Sequence, residues 1–420
     1  MAWDFLPIVD RSQVLRNPPP SSRIALPTWS AVWLGSLVLA LTSVSAGELP
    51  SGAIKRVEPV APPSATGSVY DRIWDMATLY RSAHNPVLQE LALQGRLQLQ
   101  YATGPGFTSG DLPDSQTWGD VDARQWHLGL VSRWFRHFTL QGQISINPNF
   151  DPQFYQQIFD LNLNWSRSEA FSIGVGKYRA NLFGLEQLTS SRYILTFERS
   201  LLSKALLPGE LTGTQVRGRL GNWLYAMGVY ASDIQAEFSQ FDSGMIVQAG
   251  IGYDLTSMTG MEKGIVKLDW QHSTDAENGG SGAVFEHAVS INSVWEKGRF
   301  GLNTDVLGGI GQGSQSDVWG FYLIPTFYLE EHLQLVMRYH YASGGHDGLR
   351  LPSRYERLDK GVTDGGRGDE FQAVYLGLNY YLYGHKLKLM AGAEYSTMEG
   401  GGDGGDFNGW TGLVGLRMFF

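Results

Sequence analysis

From Leu88 to Phe420 the chain keeps returning to strict alternation of apolar and polar side chains. In L-A-L-Q-G-R-L-Q-L-Q-Y, Leu91, Leu93, Leu97, Leu99 and Tyr101 fall on one parity, and Gln94, Arg96, Gln98 and Gln100 on the other. Successive side chains of a strand point to opposite faces, so each such segment has one apolar and one polar face. The pattern recurs at Phe138–Asn147, Ile158–Trp165, Met245–Leu255, His332–Tyr341 and Lys386–Tyr395. It closes with W-T-G-L-V-G-L-R-M-F-F, where Trp410, Val414, Leu416, Met418 and Phe420 share the apolar parity.

The connections alternate too. Long ones fall near 103–120, 147–155, 180–209, 232–243, 274–283, 308–316, 343–369 and 397–408. Tight links separate them, such as Arg136-His137, Gly221-Asn222, Glu330-Glu331 and Gly384-His385. Eight long and seven short connections join sixteen strands. This predicts an all-β fold: a 16-stranded antiparallel transmembrane β-barrel with long extracellular loops and short periplasmic turns. A soluble β-sandwich would have about 7–9 shorter strands per domain and a charged outer face. Here the polar face is mostly Gln, Asn, Ser and Gly, which suits a wet interior.

Composition supports the inverted arrangement. Charged residues are 17% of the chain against a norm of about 25%, and glycine is abundant at 52 residues. The net charge of −9, with no Lys/Arg-rich run, argues against a nucleic-acid partner. Without cysteine there are no disulfides and no thiolate chemistry.

Arg11, Arg16 and Arg23 precede the apolar run Ala31–Leu41 and the small-residue stretch Thr42–Ala46. This predicts a signal peptide over 1–46, cleaved after Ala46. The alternative is an inner-membrane anchor, but eleven apolar residues fall short of the ~20 a spanning helix needs. Residues 47–87 read as a periplasmic linker with a short helix opening near Ser68 and Asp71, and 88–420 as the barrel. Spanning strands must close so that every backbone group is paired, which requires the last strand to meet the first.

With the apolar parity outward, Arg96, Arg217, Arg219, Lys267, Arg338, Lys386, Lys388 and Arg417 face the lumen. Asp160, Asp254, Asp269, Glu286, Asp305 and Glu394 join them, so lumen charge alone does not fix ion preference. The third long loop, 180–209, is unusually apolar, with Leu182, Phe183, Leu185, Leu188, Ile194, Leu195 and Phe197. It also carries Arg192, Arg199 and Lys204. Such a loop is expected to fold inward and narrow the barrel, where basic rings select anions. The alternative is that Glu186, Glu198 and Glu210 pair these bases structurally.

The stretch G-K-Y-R-A-N-L-F-G-L-E-Q-L-T-S-S-R-Y-I-L-T-F-E-R-S (Gly176–Ser200) resembles the phosphate-selective porin O and P family. W-D-M-A-T-L-Y and L-N-Y-Y-L-Y-G-H-K-L-K-L look like the same family, and the similarity spans roughly residues 70–420. The resemblance implies a trimeric outer-membrane porin of a Gram-negative-type bacterium, with an inward-folded third loop. It also implies that Arg192 and Arg199, with Lys177 and Arg179 upstream, guide oxyanions. The full expected anion path is Lys177, Arg179, Arg192, Arg199, Lys204, Arg217 and Arg219. Resemblance to outer-membrane proteins generally makes Phe420 the signal read by the barrel-assembly machinery.

Enzyme chemistry finds no motif. There is no G-x-S-x-G elbow, no H-E-x-x-H, and the Gly400–Asp406 string lacks the repeat and the bidentate Glu of a Ca²⁺ site. No catalytic residue, metal or cofactor is expected. The expected function is passive diffusion of small anions, phosphate among them; the alternative is a general or carbohydrate-type porin of weak charge selectivity.

Overall fold

The computed structural model describes residues 68–104, 118–148, 154–277, 280–352, 355–356, 364–402 and 404–420. The expected signal peptide and linker up to residue 67 lie outside the described residues. Sixteen long strands form the wall: β1 (Leu88–Gly104), β2 (Trp118–Trp134), β3 (Phe138–Ile146), β4 (Tyr155–Ser168), β5 (Phe171–Arg179), β6 (Glu210–Leu220), β7 (Trp223–Ala231) and β8 (Met245–Asp254) make the first half. The second half is β9 (Lys263–Ser273), β10 (Phe285–Lys297), β11 (Phe300–Gly311), β12 (Val318–Glu330), β13 (Leu333–Ser343), β14 (Glu370–Tyr383), β15 (Leu387–Glu399) and β16 (Phe407–Phe419). Each strand pairs antiparallel with its chain neighbours, and β16 pairs with β1 from Gly412↔Thr103 to Phe419↔Arg96. The barrel is closed.

Exposure follows the parity and inverts the soluble rule. Val414 is 59% exposed and Ile291 56%, whereas Gln98 is 2% and Asn379 0%. Paired aromatics ring the outer wall at both ends, as expected where lipid headgroups begin. Near the short turns Trp165 meets Phe171 at 6.1 Å, Trp223 meets Tyr253 at 4.8 Å and Phe300 meets Phe327 at 4.7 Å. Near the long loops Trp319 meets Tyr341 at 5.4 Å and Tyr395 meets Trp410 at 5.0 Å.

The seam has its own reinforcement. β1 extends below the chain terminus, leaving an edge that a short strand, Thr78–Arg81, covers through Thr78↔Ala92 and Arg81↔Glu90. Just before it, helix α1 (Val69–Asp75) opens with a Ser68–Asp71 capping box. Its Trp74 indole donates to the Phe419 carbonyl at 2.7 Å, and the Tyr383 hydroxyl donates to Asp71 Oδ1 at 2.5 Å. One segment therefore grips β1, β14 and β16 together.

The interior holds an apolar mass. Phe183, Phe197, Leu201, Leu202 and Leu206 of the 180–209 loop pack on inward-facing Phe285, Leu307, Tyr322 and Tyr375. The apolar content that is odd for a loop has its partners here, inside the wall. The 344–369 connection also turns inward in its described parts, a feature its sequence does not signal. Leu349, Leu351 and Tyr355 join the same cluster, and Gln100 Nε2 donates to the Tyr355 hydroxyl at 2.7 Å.

Candidate functional site

The 180–209 loop is stitched to the wall strand by strand. Leu182 N–H donates to Gln248 Oε1 on β8 at 2.9 Å, and Gly184 N–H to Asp269 Oδ2 on β9 at 3.2 Å. Leu185 N–H donates to Asp305 Oδ2 on β11 at 2.8 Å, and Glu186 N–H to the Tyr322 hydroxyl on β12 at 3.1 Å. Gly184 makes this turn at φ +69, where a side chain would strain the backbone. The loop carbonyls then receive donors from the far wall. Asn379 Nδ2 reaches Leu195 O at 2.9 Å, Lys388 Nζ reaches Ile194 O at 2.6 Å, and Arg417 Nη2 reaches Phe197 O at 2.6 Å. Gln98 Nε2 completes the circuit at Ser191 O, 3.0 Å away.

Ion pairs knot the middle of the loop. Arg338 on β13 contacts Glu186 at 3.3 Å, Glu394 at 2.7 Å and the Glu198 carbonyl at 2.6 Å. Glu198 is held by Arg124 at 2.8 Å and Lys204 at 2.5 Å. A buried charge without its partner is strongly destabilising, so these pairs work as a set.

The loop's contacts thus run along the wall from β8 round to β2, and no hydrogen bond or ion pair among the described residues ties it to the side chains of β3–β7, the bare part of the wall. Between its Gln187–Arg192 segment and that bare wall lies a cavity of about 240 Å³. Its charged lining is Arg96, Arg179, Arg192 and Arg217 against one carboxylate, Asp160. Amides and hydroxyls fill the rest, among them Gln141, Gln143, Asn162, Asn164 and Ser190. No ion pair among the described residues involves any of the four arginines. Arg192 lies 5.3 Å from the Phe419 ring centre and Arg96 lies 5.6 Å from that of Phe159, while Arg96 Nη1 also donates to Gln125 Oε1 at 3.1 Å. Asp160 Oδ2 accepts from Gln141 Nε2 at 2.8 Å.

Of the residues expected on the anion path, Arg179, Arg192 and Arg217 line this cavity, joined by Arg96. Arg199 does not line it. Its guanidinium donates to the Glu186 carbonyl at 2.7 Å and the Thr189 carbonyl at 2.8 Å, holding the loop's own shape. Lys204 binds Glu198 and the Pro352 carbonyl at 2.8 Å. Lys177 pairs with Leu161 and so shares the outward parity; its Nζ donates to the Glu237 carbonyl at 2.6 Å. Arg219 faces inward but sits near a short turn, 2.6 Å from Asp254.

Among the expected lumen residues, Lys267 pairs with Asp269 at 3.0 Å, while Arg338 and Arg417 bind the loop. Lys386 sits in the β14–β15 turn over the Tyr383 ring. Glu286 is a correction: a bulge between Phe285 and His287 re-aims it beside outward-facing His287, 3.7 Å away. Arg124 escaped sequence reasoning for the same reason. The register slips between Gln98↔Gln125 and Leu99↔Ala123, and Arg124 is the residue skipped. Strict parity cannot reveal a bulge.

The phosphate-selective porin O and P family matches residues 91–267. No curated protein matches the chain by sequence. Among solved structures, the chain is similar to OprB of Pseudomonas putida, with a TM-score of 0.56, 10% identity, and 79% of this chain and 94% of that chain covered. It is similar to the outer-membrane channel DcaP of Acinetobacter baumannii at TM-score 0.53 and 12% identity, covering 81% and 99% of the two chains. An anion-selective porin from Comamonas acidovorans gives TM-score 0.53 and 12% identity, with 79% and 99% covered. Identities this low speak for the fold alone. Over residues 91–267 the chain is similar to the phosphate-selective porin O and P family, and the closed barrel that these residues help form is the fold of Gram-negative outer-membrane proteins.

Proposed function

We propose that the channel passes small anions by passive diffusion, with phosphate among the oxyanions it admits. The reading is supported by one observation: four guanidinia and a single carboxylate line the interior cavity, and no arginine there is in an ion pair among the described residues. Fixed positive charge at a constriction lowers the energy of an anion and raises that of a cation. Arginine's planar fork also suits a two-oxygen contact with carboxylate or phosphate. The test is a planar bilayer holding the purified protein under a salt gradient. The reversal potential moves toward the anion equilibrium potential; a shift toward the cation's overturns the reading. Added phosphate should lower chloride conductance by competing for the same guanidinia.

A second reading, a weakly selective path for neutral polar solutes, has support in the Gln, Asn and Ser lining. Liposome swelling in neutral sugars, with a reversal potential near zero, would favour it. The family resemblance supports a homotrimer, tested by crosslinking in mild detergent. The apolar parity of β16 up to Phe420 supports recognition by the barrel-assembly machinery, tested by a Phe420→Ala chain that accumulates unassembled.

A further inference from the structure

Among the described residues, one face of the seam helix is left largely uncovered. Tyr70 and Trp74, four residues apart, turn toward the barrel: Tyr70 stacks on Tyr383 at 5.5 Å and Trp74 packs on it at 5.0 Å. On another side, Val69, Ile73 and Met76 form an i, i+4, i+7 stripe that is 54%, 52% and 78% exposed. Three large apolar side chains in a row on so short an element are costly in water, at about 25 cal/mol per Å² of exposed apolar surface.

The stripe runs straight into the lipid-facing wall. Immediately after it, the Ala77 carbonyl accepts from the N–H of Leu93, an outward residue of β1. Tyr80 pairs with Leu91 and so lies on the outer face, at the level where the aromatic girdle begins. A bulge between Thr78 and Tyr80 leaves Leu79 exposed as well, at 55%. On the far side, Val87 accepts from the N–H of Phe135, another exposed apolar residue of the rim. Exposed apolar side chains thus run from Leu93 of the outer wall through Tyr80 and Leu79 to Met76, Ile73 and Val69 of the helix. Asp75, on the opposite side of the helix, faces Arg81 at 3.8 Å.

We infer that α1 is an interfacial helix, with its Val69–Ile73–Met76 stripe lying in the phospholipid of the periplasmic leaflet while Tyr70 and Trp74 tie it to the barrel. Apolar on one side and polar on the other is how a helix lies in a membrane surface. The arrangement seals the lower seam against headgroup water where β1 runs on past its pairing with β16.

The absence of cysteine makes the test direct. Single Ile73→Cys, Met76→Cys and Asp75→Cys chains are labelled with an environment-sensitive fluorophore and reconstituted in phospholipid vesicles. Val69→Cys serves in place of either stripe variant that fails to fold as a heat-modifiable barrel. Labels on the stripe lose most of their fluorescence to nitroxide-bearing acyl chains and little to aqueous iodide, and the Asp75→Cys label behaves in reverse. Equal iodide quenching at all three positions overturns the inference. Stripe labels shielded from both quenchers also overturn it, since that outcome puts protein and not lipid on the stripe.

Discussion

Gly95 and Phe420 exchange two backbone hydrogen bonds of 3.1 Å each, N–H to carbonyl in both directions, at the lower end of the barrel seam. The Phe420 ring lies over Gly95 so closely that a Cβ there would stand 2.4 Å from its Cζ. The ring thus occupies the place of the missing side chain and covers the seam from the lipid side. A side chain here would have to displace the ring.

A Gly95→Ala substitution forces that ring aside. Overpacking of this kind costs about 1–3 kcal/mol. The temperature at which the folded barrel loses its SDS-resistant migration should fall. Combining it with Phe420→Ala should cost little beyond Phe420→Ala alone, because the clash has gone. Additive losses would show that the two residues act separately.

Selectivity should track the charges on the cavity. Arg179→Ala, Arg192→Ala and Arg217→Ala should each lower the anion-to-cation permeability ratio by roughly threefold or more, the effect of one unit charge several ångströms from a permeating ion. Asp160→Asn should raise it. Arg199→Ala should leave the ratio nearly unchanged while making the channel noisier, because that guanidinium binds loop carbonyls. Reversal potentials across one salt gradient separate these outcomes.

Arg338→Met should loosen the loop without opening the barrel. It takes the ion-pair partner from the buried Glu186 and Glu394, at a cost of about 3–5 kcal/mol. Single-channel records should show larger and fluctuating conductance, with SDS resistance of the wall retained. An unchanged open-channel level would remove the Arg338 knot as the restraint.

The α1 contact should be pH-dependent. The hydrogen bond from Tyr383, with those from Ser68, holds the Asp71 carboxyl below the usual carboxylate range. A depressed pKa contributes stability that is present above the unfolded value and lost as pH falls through the folded one. Protease nicking near α1 should therefore increase in acid, below about pH 4, the ordinary Asp range. An Asp71→Asn chain should be nicked more readily at neutral pH and respond less to acid.

The wall was legible in the residues because the pleat is local. Leu93, Val414 and Gln98 have their faces fixed by period two, whatever lies across the barrel. The alternation of long and short connections fixed the number of strands for the same reason. Where a bulge intervened, at Arg124 and Glu286, the local rule failed and the charge moved to the other side of expectation.

The path itself was decided elsewhere. By sequence alone, Arg192 and Arg199 are equivalent bases seven positions apart in one apolar loop. What separates them is which wall the loop meets: Asp269, Asp305, Arg338 and Arg417 draw it onto β8–β16, and only then does Arg192 border the open side while Arg199 turns into the loop. Alternation along a strand costs no long-range information, so the sequence by itself determined a closed barrel with a wet interior. The course of a loop depends on contacts between residues from about 70 to over 200 positions apart, and only the tertiary structure could decide which guanidinia stand outside an ion pair.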